Sequence, residues 1–114
     1  MKDNKVYLLH ILDAIKSIEE YILSIASYDD FWLKENKMAR DAIVRQLEIV
    51  GEASNNLSED FRLKYNDIPW HKATGMRNNL IHEYHGVDLK VVWDTVKEDL
   101  PGFKRDLEKL IANL

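Results

Sequence analysis

The stretch LLHILDAIKSIEEYILSI, residues 8–25, decides the fold class. Within it Leu8, Ile11, Leu12, Ile15, Ile18, Ile22 and Ile25 recur at intervals of three and four, while Asp13, Lys16, Ser17 and Glu20 fall largely opposite. That is the pattern of a long amphipathic helix, and the spacing predicts that it ends near Ser27. The period returns in Ala39, Ala42, Ile43, Leu47, Val50, Ala53 and Leu57, and again from Val92 and Trp93 through Val96, Leu100, Phe103, Leu107 and Leu110 to Leu114. Between the first two stripes, SYDDFWLKEN (27–36) reads as a connection.

Local signals divide the remainder. Ser58 is placed to cap a short helix carrying Phe61, Leu63 and Tyr65, and Asp67 to cap the next, with Pro69 tolerated in its first turn. Trp70, Ala73, Leu80, Ile81 and Tyr84 continue at helical spacing, Gly86 reads as a left-handed stop, and Asp88 is a good N-cap flanked by Val87 and Val92 as a hydrophobic staple. Two residues interrupt the stripes. Gly51 costs about 1 kcal/mol relative to Ala in an exposed helix, so a close helix crossing is expected there. Pro101, followed by Gly102, lacks an N–H and clashes with the preceding turn, so a kink or restart is expected. Four main helices plus a short one, joined by tight connections, imply an all-α fold: an antiparallel helical bundle forming one domain over 1–114. Phe31, Trp32, Trp70 and Trp93 are many aromatics for one small core, which fits either a homodimer or a core that absorbs them all.

Composition narrows the class by exclusion. A chain of 114 residues with 46% hydrophobic content accommodates one core of radius of gyration roughly 13 Å, with no separate cofactor domain. Without cysteine there is no disulfide, thiolate zinc site or thiol nucleophile. Charges at Asp13, Lys16, Glu19 and Glu20 break the first apolar stretch, so neither a signal-peptide core nor a membrane span is drawn through it and a cytoplasmic location is expected. The net charge of −4 supplies no general field for nucleic acid, so any such contact must be local.

Candidate chemistry concentrates in MRNNLIHEYHGVD, residues 76–88. On a helix advancing about 100° per residue, Asn78, His82 and His85 share one face, and Arg77 and Tyr84 share another roughly 100–140° away. An imidazole that titrates near neutral pH, a permanent cation and orienting amides suit phosphodiester cleavage in RNA: a base takes the 2′-hydroxyl proton and a cation stabilises the charge developing on phosphate. No metal is required. Two sites across a dimer axis would add a second His to protonate the leaving oxygen. Surface histidines and ion-paired arginines are the plainer alternatives, and they stay open on the residues alone. His82 and His85 are also spaced to share an ion with Glu83 or Asp88, but no further ligand cluster supports a preformed metal site. Glu52, beside Gly51 in an apolar stripe, is either a buried or interfacial carboxylate needing Arg77 or His82 as partner, or a surface residue.

The segment Arg77-Asn78-Asn79-Leu80-Ile81-His82-Glu83-Tyr84 resembles the Arg-x4-His-x-Tyr motif of the HepT toxins in the HEPN superfamily. DAIVRQLEIVGEA (41–53), IPW (68–70), GVDLKVVWDTV (86–96) and Leu100-Pro101 are similar to that family in type and order. The resemblance implies a HEPN-like helical bundle that dimerises with both motifs in one cleft, and a metal-independent endoribonuclease toxin of a type VII-like toxin–antitoxin pair. On it, Arg77 and His82 would be catalytic, with His82 as general acid/base and Arg77 on the scissile phosphate. Asn78, the polar residue after the Arg, would orient the site; Glu52, from its position beside Gly51 and not from the resemblance, is the further supporting candidate. Tyr84 would be the site of AMPylation by a cognate minimal nucleotidyltransferase antitoxin of the MntA type, which alone would use ATP and Mg2+; the toxin would need no cofactor. The expected substrate is RNA, such as tRNA or mRNA, to which Lys72 would add local positive charge. The competing account is a non-catalytic nucleotide- or partner-binding subunit of a nucleotidyltransferase complex.

Overall fold

The apolar stripes do become helices. The computed structural model describes residues 3–81 and 88–114, with residues 76–81 described by their backbone alone. Helix α1 spans Asn4–Ile22, α2 Tyr28–Phe31, α3 Lys37–Asn56, α4 Glu59–Lys64, α5 Trp70–Ile81, α6 Leu89–Asp94 and α7 Leu100–Ala112. A 3₁₀ turn at Lys34–Asn36 precedes α3, a π turn at Thr95–Asp99 joins α6 to α7, and there is no strand among the described residues.

Helix α3 is the centre, packed against α1 on one side and α5 on the other, while α7 lies along α1. Leu8, Ile11, Ile15 and Ile18 of α1 and Ile43, Leu47 and Val50 of α3 are fully or almost fully removed from water. Two reciprocal hydrogen bonds show that α1 and α3 run antiparallel: Asn4 Nδ2 donates to Ser58 Oγ at 3.2 Å, and the Ser58 amide donates to Asn4 Oδ1 at 3.0 Å, tying the start of α1 to the end of α3. Lys104, early in α7, reaches Glu19, late in α1, at 2.9 Å, so that pair is antiparallel too. Gly51 is buried in α3, as expected of a glycine in a packed seam.

Several local expectations hold for their stated reasons. Ser58 Oγ accepts from the Phe61 amide at 3.2 Å and Asp88 Oδ1 from the Lys90 amide at 3.0 Å, as N-caps should. The π turn stands immediately before Leu100-Pro101. Widening the ladder to i→i+5 there relieves the carbonyl that the Pro101 ring would otherwise strike, so the helix continues in a new register instead of stopping.

Others are corrected. Helix α1 ends at Ile22, not near Ser27, because Ser27 starts the next helix, its hydroxyl accepting from the Asp30 amide at 3.2 Å. Ile25 is nevertheless buried, carried inward by the turn in which its amide donates to Ile22 O at 3.0 Å. The supposed connection at 27–36 therefore contains α2 and the 3₁₀ turn. Helix α5 begins at Trp70, three residues beyond the expected Asp67 cap, consistent with Pro69 disfavouring the helical region for the residue before it. Gly86 and the Val87 half of the staple lie outside the described residues. Of the four aromatics, Phe31 and Trp70 are core, Trp93 is half-buried and Trp32 stays open to solvent.

Candidate active site

The helix that carries the motif is fixed at its start by Trp70. That side chain is buried, its Nε1 donates to Tyr65 O at 3.1 Å, and its ring meets Phe103 edge-on at 6.0 Å, so the polar end of a large apolar group is satisfied where α4, α5 and α7 converge. Ala73, one turn on, is also buried, which allows the close approach of α5 to α3. Arg77 and Asn78 follow on the backbone of the same helix, which runs to Ile81. His82, Tyr84 and His85 lie outside the described residues. The chain resumes at Asp88, which caps α6.

Glu52 is exposed on α3, between buried Gly51 and Ala53. Of the alternatives that the sequence left open, the exposure favours the surface position over the buried one: one residue is about 100° of helix rotation, enough to carry Glu52 from the apolar stripe to solvent. Lys72 is exposed as well, but it lines a shallow groove with Glu98, Asp99 and Asp106. Its surroundings there are acidic. Among the described residues no group of three or more His, Asp or Glu could hold a metal ion.

A second, wider groove was not foreseen. Arg40, Val44, Arg45 and Glu48 of α3 form one wall, Trp32 and Lys37 stand at one end, and Leu89 at the start of α6 closes the other side. Arg40 Nη1 donates to Phe31 O and Leu33 O, both at 2.6 Å, and Asn36 Nδ2 donates to Asp30 O at 2.8 Å. Side chains from α3 and the turn before it thus satisfy the carbonyls that a four-residue helix leaves over. The other cations make carboxylate pairs: Lys37 with exposed Asp41 at 2.7 Å, Arg45 with half-buried Glu48 at 3.3 Å, and, on α6, Lys90 with Asp94 at 3.1 Å. The Asp94 hydrogen bond holds the Lys90 amine above the ordinary lysine range. Leu89 is five residues beyond Tyr84, so the groove lies within about 18 Å of chain from the motif's tyrosine. A linear motif does not reveal such a place, because its wall is drawn from residues 32–48 and 89. The one sequence signal was the surplus of aromatics that included Trp32.

Comparison with known proteins agrees with the family resemblance. Residues 11–110 match the model of a family described as ribonuclease HepT-like. The chain is 46% identical over 113 residues to a Methanocaldococcus jannaschii protein named "Gamma-glutamylcyclotransferase and putative RNase", covering 99% of this chain and 50% of that one. It therefore spans half the length of that relative. It is 45% identical over 109 residues to "Probable ribonuclease HepT" of Thermococcus cleftensis, covering 96% of each, and 39% identical over 111 residues to a "Putative RNase" of Caldanaerobacter subterraneus subsp. tengcongensis, covering 97% of this chain and 96% of the relative. No solved structure matches.

Proposed function

This chain belongs to the HepT-like ribonuclease family, and on that premise we propose that it is a metal-independent endoribonuclease, the toxin of a type VII-like toxin–antitoxin pair acting in the cytoplasm. The observation that carries the reading is Arg77-x4-His82-x-Tyr84 in a chain that matches the family over residues 11–110. The active unit is a homodimer with both motifs in one cleft. His82 takes the proton from an RNA 2′-hydroxyl as that oxygen attacks phosphorus. The bond to the 5′-oxygen breaks, His82 of the partner subunit protonates it, and a 2′,3′-cyclic phosphate and a 5′-hydroxyl result. Arg77 holds the non-bridging oxygens as charge builds on them. Asn78 orients the site through its amide, and Glu52, on the helix against which α5 packs, supports Arg77 or His82.

Regulation follows from Tyr84. A cognate MntA-like nucleotidyltransferase, using its own ATP and Mg2+, transfers AMP to the phenol oxygen with release of pyrophosphate. The added bulk and negative charge beside the cleft then repel RNA.

Incubation with total RNA in EDTA tests the chemistry. Cleavage by the parent should fall by about 10²–10⁴-fold in His82→Ala, the range expected for loss of a general acid/base, and comparably in Arg77→Ala. No cleavage of any RNA by the parent, with nucleotidyltransferase binding intact, would establish the non-catalytic subunit instead. Intact mass after treatment with the partner and ATP should rise by one AMP, and Tyr84→Phe should prevent it. Sedimentation at the 13.4 kDa monomer mass would defeat the composite site.

A further inference from the structure

We infer that the face built by the segment after α2, the first half of α3 and the start of α6 is a binding track for single-stranded RNA flanking the cleavage point. Trp32 is its stacking platform, and Lys37 and Arg45 are its phosphate ligands; the inference rests on the ribonuclease reading above.

Trp32 is 55% exposed, although its neighbour Phe31 is wholly buried. Tyr28 meets its ring edge-on at 6.2 Å and is itself backed by Trp93 at 6.2 Å, so the indole is packed against a ring on one side and open to solvent elsewhere. Cations alternate with these rings: Lys90 Nζ lies over Tyr28 and Lys97 Nζ over Trp93, each 5.0 Å from the ring centroid. Stacking surfaces interleaved with positive charge are what an unpaired strand requires, because every base has a π-face and every linkage a charge.

The groove beside Trp32 carries Lys37, Arg40 and Arg45 against Asp41 and Glu48, a positive excess in a chain whose net charge is −4. Arg40 is committed to two carbonyls and acts as a fixed charge in the wall. Among the described residues Lys37 pairs with exposed Asp41 at i+4 and Arg45, itself exposed, with half-buried Glu48 at i+3 over 3.3 Å, surface pairs weak enough for a phosphate to displace. Leu89 in the groove wall is five residues beyond Tyr84 in sequence, so the chain length between groove and motif is short. Met38 and Val91 are exposed nearby, and a protein partner on the same face is the outcome to be excluded.

The test uses the full chain and a fluorescent single-stranded oligonucleotide with 2′-O-methyl groups, which binds but lacks the nucleophile, followed by anisotropy across a salt series. Trp32→Ala should weaken binding about tenfold, and Trp32→Phe should restore most of it. Lys37→Gln combined with Arg45→Gln should reduce the slope of log K against log salt by about 1.4, since each phosphate neutralised on a single strand adds about 0.7 to it. Thermal melting of the same variants establishes that they fold. If the parent binds and cleaves RNA while these variants keep its affinity and salt slope, the track is overturned and the ribonuclease reading stands. If the parent neither binds nor cleaves any RNA, both are overturned. If Trp32→Ala changes sedimentation and leaves RNA affinity per protomer unchanged, the face is a protein contact and the track is overturned.

Discussion

The seam between α1 and α3 and the corner where α2 meets α6 are held by different means. Along the seam, long helices bury Ile11, Ile15, Ile43 and Leu47 almost completely, and position follows from the 3.6-residue period. At the corner α2 has four residues, too few for a period, and side-chain polar groups take over: Ser27 caps its start, while Asn36 and Arg40 donate to the carbonyls at and beyond its end. Phe31 alone of that helix is core, and its ring lies 5.3 Å from half-buried Trp93. Apolar burial gives the seam its stability without directional demands. Hydrogen bonds and ring packing give the corner a specified shape while leaving Trp32 open, which suits a surface that must present groups to a ligand.

Substitutions on the two sides sharpen this contrast. Leu47→Ala, at a seam position with 1% exposure, should lower the unfolding free energy by about 2–5 kcal/mol in urea denaturation. A drop of under about 1 kcal/mol would mean that the seam is not the main source of stability. Arg40→Met should cost less, about 1–3 kcal/mol, for leaving carbonyls of the corner without their charged donor. Its clearer sign should be a change in tryptophan fluorescence with helical content nearly unaltered, and an unchanged emission spectrum would show that the corner keeps its shape without Arg40.

The smallest effect concerns pH. Hydrogen bonds from Lys104 to Glu19, which tie α7 to the α1 side of the seam, and from Lys90 to Asp94, beside the corner, raise both amines above the ordinary lysine range. A folded pKa above the unfolded one contributes stability that is complete below the unfolded pKa and disappears as pH rises through the folded value. Lys104→Met and Lys90→Met should therefore lose slightly less stability than the parent on the alkaline limb of a melting-temperature profile. Both groups are solvent-accessible, so the difference should also shrink in high salt. Identical alkaline limbs in parent and variants would show that neither pair contributes.

Where helices were long, the sequence was readable: α1, α3 and the α6–α7 rod appear where their stripes lie, with Ser58 and Asp88 capping as expected. Helix α2 was not, because its formation depends on Asn36 and Arg40, which reach it only after the chain has turned back. Glu52 was left between burial and the surface by its neighbours, and its helical angle turns it outward. For the site, the motif from Arg77 to Tyr84 was visible as a linear pattern, since its residues follow one another along the chain. The groove beside Trp32 was not, because Arg45 and Leu89 lie far apart in sequence and meet only through packing.

Two kinds of information thus separate. The sequence by itself determined the helical class, the family and the identity of the motif, because periodicity, capping and short spacings are local properties of the chain. Only the tertiary structure decided which aromatic stays exposed, which carboxylate faces water and where cations from separate turns of the fold line one groove. Those outcomes depend on how α1, α3 and α5 pack and on which carbonyls the corner leaves for Arg40 to satisfy, and no stretch of neighbouring residues encodes them alone.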